Sequence, residues 1–385
     1  MPGSLATATS PGRLLFIDNL RWSAILMVVV MHAAVTYSPF GRWYYRDPGQ
    51  TGFAGALLFG SYQSFQHAVS MGLLFGIAGY FASGAIERRG AVGFLRERGF
   101  RLGLPLLLYM SLIGPVTEWY VAGSWHATPP QSFPAAWAAH VANGSLLSGS
   151  GPLWFCLVLL AFSAVFAAVW TVSSGTRREG APPGPLLVLC FVAAMAAITF
   201  AVGVLAPHAG VVLNIDVHDL PQYPFMFAAG VLAHRQGWLM RLPSATGRAW
   251  GLAGLAISAV SWVLIISLGG ALQGRLAAYG GGWHWQAAAI DVWRSFTCVS
   301  LSLGVITLYR DHFNAQGSIA RFLTRNAFGV YVFHAPILIL ATRVLHEWPA
   351  DVAVRFVAAS FAGIVLTFLF VGMVARRTPA LRAIL

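Results

Sequence analysis

The chain has 385 residues, 57% hydrophobic and 9% charged, with a formal net charge of +12 and a mean hydropathy of +0.69. A soluble domain carries roughly a quarter of its residues as charged side chains, so this balance excludes one and points to a membrane protein. All 24 basic residues are arginine; they fall in short loops between apolar segments, as a positive-inside bias places them, and nucleic acid is not expected as a partner.

Ten apolar segments of roughly 20 residues, the length that crosses a bilayer, are predicted near 14–38, 66–86, 102–122, 152–174, 185–206, 221–239, 249–270, 287–309, 326–345 and 353–375. The expected fold is all-α, a polytopic transmembrane helical bundle of about ten spans. Cytoplasmic termini place 18 of the 24 arginines on the inner side, which supports both ends lying there. Residues 1–13 and 376–385 then form cytoplasmic tails around a membrane domain at 14–375. The first segment is too long for a cleavable signal peptide and carries Arg21 within it. Cys156, Cys190 and Cys298 fall in separate spans without a CxxC pair and read as small hydrophobes. No soluble second domain is expected. The outer loops at about 123–151, 207–220 and 271–286 carry Trp125, His126, Trp137, His140, His208, His218, Trp283, His284 and Trp285, suited to interfacial anchoring or to stacking on carbohydrate.

In chain order, the first chemical constellation is Asp18, Arg21 and His32. Eleven residues at about 100° each return His32 to the face of Arg21, about 16 Å deeper, and Asp18 lies one turn before Arg21. Ionisable groups inside a membrane are costly and mark function. The bland alternative is a snorkelling arginine and a buried histidine satisfied by a neighbouring helix. After the second span, Arg98 and Arg101 sit one turn apart and suit a phosphate or pyrophosphate, although topology alone also explains basic residues there. Pro105 is expected to kink the third span and open a cavity. Glu118 has no local partner; pairing with His32 would orient the imidazole. Asp291 and Arg294, three apart, are expected to neutralise each other. In the ninth span Tyr331 and His334 are one turn apart and precede Pro336; they read either as a functional pair or as a polar packing cluster. Phosphate loops, zinc-type histidine patterns and a serine nucleophile elbow are absent from the sequence, and no metal is expected.

Taken together these residues resemble the integral-membrane acyltransferase-3 family. The resemblance rests on Arg21 and His32 in DNLRWSAILMVVVMH, on MGLLFGIAGYF at Met71 to Phe81, on Arg98 and Arg101, on GPLWF at Gly151 to Phe155, and on Tyr331, His334 and Pro336. It runs from about residue 14 to 375, and the texture of the first hundred residues is most similar to the periplasmic-glucan succinyltransferase branch. Three positions depart from the family pattern: Ala78 for Ser, Pro152 for His and Asn326 for Ser.

The resemblance implies an O-acyltransferase of the bacterial inner membrane. It would move an acyl group from a cytoplasmic donor, acyl-coenzyme A as co-substrate, to a hydroxyl of a sugar-containing or lipid-linked cell-envelope acceptor. Arg21, Arg98 and Arg101 would hold the donor, and His32, with Glu118, Tyr331 and His334, would serve catalysis. His32 would act as general base or as transient acyl carrier. A transporter using the same buried charges as a proton or substrate pathway, and a scaffold tolerant of their loss, are the rival readings.

Overall fold

The computed structural model describes residues 13–47, 49, 51–125, 132–147, 149–172, 180–207 and 210–384. His126, His208, Arg177 and Arg178 lie outside the described residues. The helices in chain order are α1 (Leu15–Thr36), α2 (Phe53–Arg98), α3 (Leu104–Leu108), α4 (Gly114–Trp125), α5 (Phe133–Ala142), α6 (Trp154–Val172) and α7 (Pro185–Leu205). They continue with α8 (Gln222–Gln236), α9 (Trp238–Arg241), α10 (Ser244–Leu268), α11 (Trp285–His312), α12 (Ser318–Val344), α13 (Val352–Met373) and α14 (Pro379–Ile384). One two-residue hairpin, Val211–Val212 with Ile215–Asp216, lies in the loop before α8.

Among the described residues, eight helical stretches are long and apolar enough to span a membrane. One of these, Phe53–Gly123, takes in two of the predicted segments. At about 106 Å it far exceeds a hydrocarbon core of about 30 Å. Gly90, at φ 69° and ψ 172°, breaks it between the two. The predicted 221–239 segment is the 15-residue α8, shorter than a free-standing span.

Pro105 behaves as its chemistry requires. It lacks an N–H and its ring crowds the carbonyl four residues back, and the chain answers with wide π turns at Gly99–Gly103 and Tyr109–Ile113 on either side of it. Each such turn inserts a residue into the α register and re-aims the next stretch of helix. Arg101 sits in the first and Tyr109 in the second.

The bundle buries an apolar core and also presents apolar side chains on its outer surface. α10 turns Leu252, Leu255, Val260 and Val263 outward, as a lipid-facing helix must. α1, which carries Asp18, Arg21 and His32, packs against α2, α11, α12 and α13. Its polar groups therefore face protein rather than hydrocarbon, where each would be far more costly.

Small residues set the closest helix contacts, as expected where no solvent drives association. α2 and α8 meet so closely that a Cβ on Gly79 would lie 2.0 Å from the Phe227 carbonyl oxygen, and one on Gly230 1.9 Å from that of Gly76. The obstacle is backbone, which cannot rotate away. Gly79→Leu is therefore expected to cost about 3 kcal/mol or more, read as a lowered Tm and aggregation on size-exclusion chromatography in detergent. A wild-type Tm would show that the helices do not approach this closely.

Candidate active site

A cavity of about 850 Å³ opens among α1, α2, α6 and α12. On its α1–α2 side lie Arg13, Arg21, Arg88, Arg89, Arg98 and Arg101. Asp18 binds Arg13 and stands 3.9 Å from Arg21. Glu97 binds Arg89 at 2.6 Å and Arg101 at 3.5 Å. Arg98 lies over the Phe94 ring, 5.2 Å from its centroid, which leaves its fork directed by an aromatic face rather than by a carboxylate. Two carboxylates thus serve six guanidinium groups, and the excess positive charge favours an anionic occupant. The apolar side chains of Phe155, Cys156 and Phe328, together with Tyr331, line the same cavity.

Beyond Tyr331 three rings lie nearly parallel. The His32 centroid is 3.9 Å from that of Trp43 and 5.2 Å from that of His334, with interplanar angles of 14° and 18°. Tyr331 joins this group to the cavity: its ring centroid is 6.1 Å from that of His334. Its hydroxyl donates to the Pro152 carbonyl, and its own backbone carbonyl lies 2.8 Å from His334 Nδ1. A carbonyl only accepts, so Nδ1 carries the proton and Nε2 of His334 keeps its lone pair. That Nε2 and the Nδ1 of His32 are buried without a hydrogen-bond partner. Buried imidazole nitrogens are ordinarily satisfied, and two left open on neighbouring rings, with centroids 5.2 Å apart, are the groups best placed to handle a proton or an acyl group.

The ring over His32 comes from the loop after α1, and that loop is tied down at its far end. Asp47 accepts from Arg355 of α13 at 2.9 Å and meets His346 Nδ1 at 2.9 Å, while its backbone N–H donates to the Thr36 carbonyl at 2.6 Å. Trp43 is further braced edge-on by Tyr44 at 5.2 Å, whose hydroxyl bonds that of Tyr109 at 2.8 Å.

A family model described as an acyltransferase domain, of the acyltransferase-3 type, matches residues 14–372. The chain belongs to this family. No curated protein and no solved structure matches it. The protein is an integral-membrane acyltransferase, and its family motifs, scattered over more than 300 residues of sequence, converge on the cavity and the ring cluster.

Of the residues expected at the site of this acyltransferase, Arg21, Arg98, Arg101 and Tyr331 line the cavity, and His32 and His334 stack behind it. Glu118 is elsewhere. It is exposed on α4, no hydrogen bond or ion pair joins it to His32 among the described residues, and the charged group that acts on it is His140. The place at His32 that a carboxylate was expected to fill is taken by Trp43 and His334. Asp291 and Arg294 do not pair with each other either. Arg294 binds Asp219, which also holds His67, and Asp291 meets His218 Nε2 at 3.1 Å. The one-turn spacing put the two on one face of α11, but the loop before α8 brings each a better-placed partner. The hydrogen bond to Asp291, ahead of the opposing effect of burial, raises the His218 pKa above the usual histidine value.

Two family departures are explained by position. Pro152 replaces the usual histidine, but what Tyr331 uses there is a backbone carbonyl, which any residue supplies. Asn326 donates to the Phe322 carbonyl at 2.8 Å, one turn back in α12, as the usual serine could. Trp43 and Tyr44 were not anticipated as site residues. Their sequence signal is the run WYYRD at 43–47, in which three aromatic residues are followed by two charged ones with no helical period. Arg321 and Arg325, four apart at the start of α12, were assigned to topology alone, yet both line the cavity.

Proposed function

We propose that the acyltransferase moves an acyl group from cytoplasmic acyl-coenzyme A to a hydroxyl of a sugar-containing or lipid-linked cell-envelope acceptor, with both termini in the cytoplasm of a bacterial inner membrane. The observation that carries this reading is an arginine-rich cavity that is also lined by Tyr331, whose ring neighbours the His32–His334 pair. His32 lies about 16 Å along α1 from Arg21. A donor anchored at the arginines must therefore carry its carbonyl well away from its phosphates. A pantetheine thioester does so; an acyl phosphate, with phosphate and carbonyl one bond apart, does not.

In the general-base form, an imidazole takes the acceptor hydroxyl's proton as the oxygen attacks the thioester carbonyl. The C–O bond forms, the C–S bond breaks, and the proton passes to the leaving thiolate. In the acyl-carrier form an imidazole nitrogen attacks the carbonyl first and the C–S bond breaks to release the thiolate; the hydroxyl then takes the acyl group as the C–N bond breaks, and its proton goes to the thiolate. The trapped ring stack suits either role, since Trp43 and His334 hold His32 in one orientation.

The purified protein is tested with a donor panel that includes succinyl-coenzyme A, because the first hundred residues resemble the glucan succinyltransferase branch. Wild type is expected to bind one donor and turn it over slowly onto water or acceptor. His32→Ala should bind with turnover reduced about 10²–10⁴-fold, and Arg98→Ala/Arg101→Ala should lose binding. Gradient-driven flux without thioester consumption would replace this reading with that of a transporter.

A further inference from the structure

The cavity has a second basic wall. Arg321 and Arg325, one turn apart at the start of α12, and Arg376, just after α13, line it together with Gln316 and Thr324. The two carboxylates that line the cavity, Asp18 and Glu97, are both engaged on the α1–α2 side. Among the described residues no carboxylate pairs with Arg321 or Arg325; the Arg321 guanidinium donates to the Gln316 carbonyl at 2.9 Å. This wall is also held in place. Gln316 Nε2 donates to Asn19 of α1 and to Thr324, each at 2.9 Å, and Arg376 donates to the Arg325 carbonyl. Positive-inside bias accounts for arginines at this end of the bundle. It does not account for Arg321 and Arg325 standing together on a braced cavity wall where, among the described residues, no carboxylate pairs with either.

Resting on the coenzyme A reading above, we propose that Arg321, Arg325 and Arg376 form a second phosphate subsite, distinct from that of Arg98 and Arg101. The donor it fits carries a phosphomonoester apart from its diphosphate, as a 3′-phosphonucleotide thioester does and a phosphopantetheine carrier protein does not. A diphosphate docks against the Arg98 and Arg101 forks. The separate monoester, with up to two negative charges on three acceptor oxygens, takes Arg321 and Arg325, for which no carboxylate among the described residues competes.

The test compares coenzyme A with 3′-dephospho-coenzyme A by calorimetric titration of the full-length protein. Nanodiscs of phosphatidylcholine, alone and with added phosphatidylglycerol, present the other source of such a phosphate, a lipid headgroup. Wild type is expected to prefer coenzyme A by about 10–100-fold in both nanodiscs. In Arg321→Ala/Arg325→Ala that preference should fall to near one while the affinity for dephospho-coenzyme A stays unchanged, which also shows that the variant is folded. Arg98→Ala/Arg101→Ala should weaken both ligands and keep the ratio.

Equal affinity of wild type for the two ligands, or equal weakening of both by the Arg321/Arg325 change, would overturn the second subsite and leave the donor reading standing. A preference abolished by phosphatidylglycerol would assign the wall to lipid and overturn it as well. If folded wild type bound neither ligand, the donor reading itself would fall.

Discussion

His334→Ala is expected to lower acyl transfer by about 10²–10⁴-fold, as much as His32→Ala, with the double variant no worse than either alone. Non-additivity is the mark of groups that act as a unit. The two rings stack 5.2 Å apart, and each leaves one nitrogen buried without a partner. His334 has its proton fixed on Nδ1 by the Tyr331 carbonyl, so it presents only Nε2 to the reaction. Two imidazoles this close cannot both hold a proton at small cost. One accepts while the other stays neutral. Activity should fall as the pH drops through the imidazole titration, because the base or nucleophile must be unprotonated. The measurement is kcat and donor affinity for the three variants across pH. A His334→Ala enzyme with wild-type kcat, or a double variant whose losses multiply, would show that His334 is packing and His32 works alone.

How the site could be read from sequence depended on which interactions are local. The helical period on α1 gives the common face of Arg21 and His32, and the one-turn spacing gives Tyr331 with His334, because helix geometry converts spacing directly into direction. What spacing cannot supply is which face meets which helix. His32 and His334 are 302 positions apart, and only the packing of α1 against α12 brings them together. Glu118 and the Asp291–Arg294 pair failed for that reason: both inferences assumed that the nearest unpaired charge in sequence, or the one most in need of a partner, would be nearest in space. Asp219, in a loop with no periodic pattern, took Arg294 instead. Trp43 was hidden more deeply. It belongs to a loop whose path is set by an ion pair between Asp47 and Arg355, partners 308 positions apart. The span count was legible in apolar content, but a long helix broken at Gly90 and the short α8 have no distinct hydropathy signal.

That ion pair carries the second large expected effect. Asp47 and Arg355 are each about nine-tenths buried, with side-chain exposures of 10% and 11%. Removing one partner of such a pair leaves an uncompensated charge and costs about 3–5 kcal/mol. Replacing both by apolar residues of similar volume costs much less, because no buried charge remains. Arg355→Met is therefore expected to lower the Tm sharply, and Asp47→Leu/Arg355→Met to recover most of it.

Activity should separate from stability in this series. Asp47 anchors the end of the loop that lays Trp43 on His32, 3.9 Å away, and the double variant restores the fold without restoring the anchor. With the loop untied, Trp43 leaves His32 free to turn, and the near-attack geometry that catalysis needs is held for less of the time. The double variant should then show a reduced kcat with donor affinity unchanged, since none of the loop's described residues lines the arginine-rich cavity. Trp43→Ala should reproduce that split with the ion pair intact. If the double variant regained stability and full turnover together, the Asp47–Arg355 pair would be structural only, and Trp43 would cover the histidines without positioning them.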